Sequence, residues 1–280
     1  MILQCGNRNL NLETPQVMGI LNVTPDSFSD GGRFSDLDKA LYHAEQMLAE
    51  GAAIIDVGGE STRPGAQSVT VSQELERVIP VVEAIGRRLD VLISVDTSSP
   101  QVIVAAASAG AHIINDVRSL TREGALAAAA SIDLPVCLMH MNGEPQQMQN
   151  NPQYSQPIEQ AVLEQLTASV ERCLQAGIER KRLMIDPGFG FGKNNQHDYR
   201  LLNRLETLQS LRLPLLTGLS RKRMIGAATG QATAIERVNG SVGAAVICAL
   251  KGARIIRVHD VKATVEAMQV VSATYREGNV

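Results

Sequence analysis

A chain of 280 residues, 44% hydrophobic and 20% charged, has the composition of a globular protein large enough to bury a full core. A net charge of −3, no tryptophan and 3% aromatics argue against a basic field or a base-stacking surface, so nucleic acid is not an expected partner. The four cysteines form no C-x-x-C pair, no apolar run approaches the roughly 20 residues of a membrane span, and the start carries no basic leader, so buried free thiols in a reducing cytoplasm, with no membrane partner, are expected.

Residues 1–16 read as a strand-turn-strand hairpin, with Asn7, Asn9 and Asn11 supplying turn chemistry, that plugs or caps the rest. The apolar run Val17–Leu21 follows. After it, Asn22 to Gly32 is polar and bears glycine and proline. It is too long for a turn, and loops of that length are usually functional. A helix is predicted from Asp36 to Glu50, with Leu37, Leu41, Ala44 and Leu48 on one face. Ser35–Asp38 resembles a capping box, and Gly51 is the expected stop.

The alternation then repeats. Apolar runs end at Asp56, Asp96, Asn115-Asp116, His140, Asp186, Gly218 and His259. Helices are predicted near 72–88, 100–109, 124–130, 157–176, 198–209, 234–251 and 261–276, with a basic loop at Ser220–Arg223. Eight strand–helix units predict a (β/α)8 TIM barrel, an α/β fold, as a single domain over 1–280 with an N-terminal β-hairpin. The competing open doubly wound sheet is disfavoured because no G-x-G-x-x-G follows the first strand.

Polar residues collect at the strand C-terminal ends, where barrel active sites lie: Asn22, Asp56, Asp96, Asn115, His140, Asp186, Ser220 with Lys222, and Arg257 with His259. Each alone could be a helix cap or turn closure, but a set confined to one end is a site. Two inward carboxylates, Asp96 and Asp186, with Asn115 suit a heterocycle bearing adjacent N–H donors, and Lys222 suits a ring carbonyl. A capping role for Asp96 before Pro100 is the structural alternative. Arg63, in a glycine-flanked loop at 58–65, suits a planar anion or a solvent-facing turn. Arg257 and His259 share a strand face and suit a diphosphate, with or without a metal. Of the other histidines, His43, His112 and His197 read as structural and His140 as ambiguous.

The stretches NVTPDSFSDGG (22–32), DVGGESTRPGA (56–66), ISVDTS (93–98), INDVRSL (114–120), LMHM (138–141), DPGFGFGK (186–193), LSRKRMIG (219–226) and IIRVHDV (255–261) together resemble dihydropteroate synthase, a pterin-binding barrel family, along essentially the whole chain. The resemblance implies a transferase of tetrahydrofolate biosynthesis that condenses 6-hydroxymethyl-7,8-dihydropterin diphosphate with p-aminobenzoate, giving 7,8-dihydropteroate and pyrophosphate, and that binds sulfonamides. By resemblance, Asp96, Asn115, Asp186 and Lys222 hold the pterin. Asn22 binds Mg2+, and Thr62, Arg63, Arg257 and His259 join it in binding the diphosphate. Phe28, Thr62, Arg63, Pro64, Phe191, Ser220 and Lys222 form the aminobenzoate site, with Asp96, Lys222 and Arg63 as the catalytic set. Residues 24–32 are expected to act as a lid, with Asp30 reaching Arg63. A homodimer through helices on the far side, including Ser241–Leu250, is also implied. A methyltetrahydrofolate-dependent methyltransferase barrel and a catalytically silent pterin-binding paralogue are the alternatives.

Overall fold

The structure, a computed structural model, describes residues 1–24, 33–61, 69–143, 148 and 152–278. Two short strands open the chain, β1 (Ile2–Cys5) and β2 (Arg8–Asn11). They pair antiparallel with Cys5 opposite Arg8, and Gly6 takes the left-handed turn position at φ 63°. The next eight strands are parallel: β3 (Gln16–Asn22), β4 (Ile54–Gly58), β5 (Leu92–Asp96), β6 (Ile113–Asp116), β7 (Val136–Met139), β8 (Leu183–Asp186), β9 (Leu216–Thr217) and β10 (Ile255–Val258). Their order is β8-β7-β6-β5-β4-β3-β10-β9. The two ends meet through a parallel bridge between Ile185 and Leu215, and the Ile185 N–H donates to the Pro214 carbonyl at 3.0 Å. The sheet therefore closes into the expected barrel.

These strands are buried on both faces, and the two-residue side-chain period sorts them. Outward residues such as Val17, Ile55, Val57, Ile93, Val95, Ile114, Val136 and Leu138 pack under the helices. Inward residues at the lower end, one from each strand, are Met18, Ile54, Leu92, Ile113, Cys137, Met184, Leu216 and Ile255. The hairpin adds Leu3, Cys5, Leu10 and Leu12 to this same cluster. It closes the barrel floor, and burying each of its leucines contributes about 1.5–3 kcal/mol.

The helices are α1 (Arg33–Ala49), α2 (Val71–Arg88), α3 (Pro100–Ser108), α4 (Ala125–Ser131), α5 (Ile158–Gln175), α6 (Asn195–Asn203), α7 (Arg223–Thr229), α8 (Val238–Leu250) and α9 (Val261–Tyr275). Three departures from the sequence reading stand out. Helix α1 begins at Arg33, which puts Ser35 inside its first turn rather than at a cap. The helix expected over 198–209 begins at Asn195 and gives way to a tighter 3-10 segment over Leu205–Leu211. Helix α7, which the sequence reading does not include, starts at the last residue of the basic loop, Arg223, and Gly230, left-handed at φ 74°, stops it after seven residues, too few to show a helical period. Among the described residues no helix is long and apolar enough to cross a membrane. All four cysteines are free and buried.

Candidate active site

Above the apolar floor, the inward positions change character. Two residues further along the strands stand Ile20, Asp56, Ser94, Asn115, Met139, Asp186, Gly218 and Arg257, and above these Asn22, Gly58, Asp96 and His259. One pocket at this end is lined by Asp96, Asn115, Asp186, Phe191, Ser220, Lys222, Arg257 and His259, with Ile20, Val117, Met139 and Gly218 completing its wall. Eight of the residues expected at the site are thus brought together. Asn22 joins them at the rim, where its Oδ1 and the Asp96 carboxylate both approach Gly58, a glycine with no Cβ to intervene. Phe28, Asp30, Thr62, Arg63 and Pro64 lie outside the described residues.

The polar groups hold each other in fixed poses. Arg257 Nε donates to Asp56 Oδ2 at 2.6 Å, and its Nη2 donates to Asp96 Oδ2 at 2.9 Å. Asp56 is fully buried and also accepts from Asn115 Nδ2 at 3.2 Å. That contact fixes the Asn115 amide with its nitrogen toward Asp56 and frees its oxygen as an acceptor. Asp186 Oδ1 accepts from the Gly188 N–H at 2.7 Å. The Lys222 ammonium donates to the Phe189 carbonyl and lies 4.6 Å from the Phe191 ring centre. Ser220 Oγ accepts from the His259 N–H at 3.2 Å and sits 3.0 Å from His259 Nδ1.

Burial dominates the electrostatics. It pushes the Asp96 carboxyl up to about 7 against the pull of Arg257, with Asp56, Asp116 and Glu74 adding to the rise. It raises Asp186 against the pull of Lys222, and it lowers Lys222 to about 8 against the pull of Asp186. The pocket therefore combines two desolvated carboxyl groups, a half-buried ammonium and a guanidinium. It is built to receive a flat molecule with N–H donors, a carbonyl and an attached anion.

A model of the pterin-binding enzyme family matches residues 18–259. The Escherichia coli (strain K12) dihydropteroate synthase is 58% identical over 266 residues, 95% of this chain and 94% of its own. The chain belongs to the dihydropteroate synthases. Among solved structures, the Yersinia pestis dihydropteroate synthase with a sulfonamide drug superposes with a TM-score of 0.94 at 55% identity, covering 99% of this chain and 100% of that one. The Xanthomonas albilineans dihydropteroate synthase with 4-aminobenzoic acid gives a TM-score of 0.92 at 46% identity, covering 98% of each chain. Neither the methyltransferase barrel nor the silent paralogue is favoured by these likenesses.

Within this dihydropteroate synthase barrel, some features escape the sequence reading. Asp56 stands out in the sequence only as one more strand-end acid, yet it anchors both Arg257 and Asn115. Met139, Val117 and Ile20 line the pocket, and nothing in their apolar runs separates them from core residues. Of the basic loop, only Ser220 and Lys222 face the pocket. Arg221, left-handed at φ 58°, turns away to a two-point ion pair with Asp260 at 2.5 and 3.0 Å.

Proposed function

We propose that this pocket condenses 6-hydroxymethyl-7,8-dihydropterin diphosphate with p-aminobenzoate by a dissociative, SN1-like path. The observation that carries the reading is the convergence of Asp96, Asn115, Asp186 and Lys222 on one pocket that Arg257 and His259 also line. Asp96, the Asn115 oxygen and Asp186 accept from the pterin N–H groups, and Lys222 donates to its carbonyl. The bond from the pterin methylene to the diphosphate oxygen breaks first, and its electron pair leaves with pyrophosphate. Positive charge spreads from the methylene into the ring, where ionised Asp96 stabilises it. The arylamine nitrogen then forms the new C–N bond and gives up a proton.

Arg257 and His259 attract the leaving diphosphate, with Thr62 and Arg63 completing its site. Phe191, Ser220 and Lys222 form the described part of the aminobenzoate subsite, with Phe28, Thr62, Arg63 and Pro64 closing it. Sulfonamides occupy the same subsite in competition with p-aminobenzoate. The Asn22 amide oxygen suits magnesium, which takes few protein ligands and fills its shell with phosphate oxygens and water. Bound there, Mg2+ would neutralise charge on the leaving group.

A homodimer is supported by the exposure of Ile247 and Leu250 on α8, 42% and 54%, beside exposed Val270 and Tyr275 on α9. A cytoplasmic setting is supported by the four buried free thiols.

The deciding experiment is an assay of dihydropteroate formation with both substrates and Mg2+, using pterin diphosphate deuterated at the methylene. Product formation with a normal secondary isotope effect is expected for a dissociative step, because the methylene carbon flattens as the bond to oxygen breaks. Product with no isotope effect on a rate-limiting chemical step would overturn the dissociative path. Pterin binding without product would overturn the activity.

A further inference from the structure

Lys193 is fully buried, and it does not line the pocket. Its ammonium spends its three donors on His140 Nδ1 at 2.8 Å, the Gly188 carbonyl at 2.7 Å and the Phe191 carbonyl at 3.2 Å. His140 is itself buried, and its Nδ1 acts as the acceptor. A buried ammonium is costly, and a methionine would fill similar space without that cost. What the charge adds is a direction for the backbone around it.

The loop it holds alternates glycine and phenylalanine over 188–192. Gly188 and Gly192 are left-handed, at φ 63° and 65°. A Cβ on Gly188 would strike the His140 carbonyl, and one on Gly192 would strike the Asn142 carbonyl, so the loop lies flat against the chain beside β7. The carbonyls of Gly188 and Phe191 turn inward to Lys193, while that of Phe189 turns to Lys222. From outside, Asp198 Oδ1 accepts from the Gly190 N–H and the Tyr154 hydroxyl donates to the Gly192 carbonyl, both at 2.8 Å.

We infer that Lys193, backed by His140, is a positioning residue for the aminobenzoate subsite: its hydrogen bonds aim the loop carbonyls so that the Phe191 ring and the Phe189 carbonyl meet Lys222. This rests on the reading of Phe191 as part of that subsite. Lys193 touches no reacting atom, so its loss acts through the placement of Phe191. Pterin binding shares Lys222 and the Asp186–Gly188 contact with this loop but keeps Asp96 and Asn115, which the loop does not touch, so it changes less.

The test is steady-state kinetics on the full chain for Lys193→Met, Phe191→Ala and the double variant. Lys193→Met raises the p-aminobenzoate KM about 10-fold, alters the pterin diphosphate KM less than about threefold, and adds less than about twofold to the effect of Phe191→Ala. An unchanged p-aminobenzoate KM, or losses that multiply in the double variant, overturns the inference. If Phe191→Ala itself leaves that KM unchanged, the subsite reading falls and takes the inference with it. If Phe191→Ala raises it and Lys193→Met does not, only the inference falls. Should Lys193→Met fail to fold, His140→Ala removes one of three acceptors and carries the same prediction at about threefold. No change there overturns the inference equally.

Discussion

Arg257 donates to Asp96 at 2.9 Å, so the groups assigned to the diphosphate and to the pterin ring are partners of each other in the free enzyme. Substrate binding on the proposed reading brings new partners to two groups that already face each other. Asp56, fully buried, holds Arg257 from below throughout. Arg257→Ala would leave two carboxylates, Asp56 and Asp96, without their cation. Removing one partner of a buried pair costs about 3–5 kcal/mol, and urea unfolding should register a loss of about 3 kcal/mol together with a fall in kcat. A loss under about 1 kcal/mol would mean the pair contributes little.

Asp96→Asn should separate stability from catalysis. Burial lifts the folded Asp96 to about 7 from 3.8 in the unfolded chain. Its contribution to stability is complete below the unfolded value and is lost as pH rises through the folded value. At pH 8 the ionised group is a net cost, so Asp96→Asn should melt at or above the wild-type temperature there, with the difference shrinking toward pH 5. In the same variant kcat should fall about 100-fold or more while pterin affinity falls less than about 10-fold. Equal losses in turnover and binding would remove Asp96 from the cation-stabilising role.

The pH profile of kcat/KM for the pterin substrate follows from the same pocket. The proposed mechanism needs Asp96 ionised and Lys222 protonated. Asp96 lies near 7, and burial brings Lys222 down to about 8. A narrow bell between these values is expected. Lys222→Arg, which stays charged, should lose the alkaline limb even though turnover drops. Persistence of that limb at the same pH would assign it to another group.

Two glycines with positive φ should respond differently to alanine. Gly110 (φ 102°) has nothing within 4 Å of a built Cβ, so Gly110→Ala pays backbone strain alone, about 1 kcal/mol. Gly188 adds the collision with the His140 carbonyl, and Gly188→Ala should cost at least about 2 kcal/mol more by denaturant titration. Equal costs would mean the loop shifts freely.

Asn22→Ala should raise the magnesium concentration for half-maximal turnover about 10-fold while leaving binding of a pterin without diphosphate unchanged. An unaltered magnesium requirement would place the ion on other ligands.

Much of this arrangement is legible in the chain. The strands are short apolar runs ending in a polar residue two positions above an inward apolar one, so the barrel, its active end and Asp96, Asn115, Asp186, Lys222, Arg257 and His259 follow from pattern and spacing. Lys193 is not legible, because a lysine after a glycine-rich loop reads as solvent-facing and only the fold buries it. Met139 and Val117 are not legible either, since a pocket wall and a core share one chemistry. The Arg221–Asp260 pair links positions 39 residues apart, a distance that local sequence does not bridge.

The hairpin has a consequence for traffic. With Leu3, Cys5, Leu10 and Leu12 filling the floor, the barrel is a well with a single mouth. On the proposed seats, the ring held by Asp96 and Asp186 and the molecule at Phe191 and Ser220 share one pocket at that end. Neighbouring occupants of one pocket crowd each other's entry, so excess p-aminobenzoate should slow turnover by occupying an empty well.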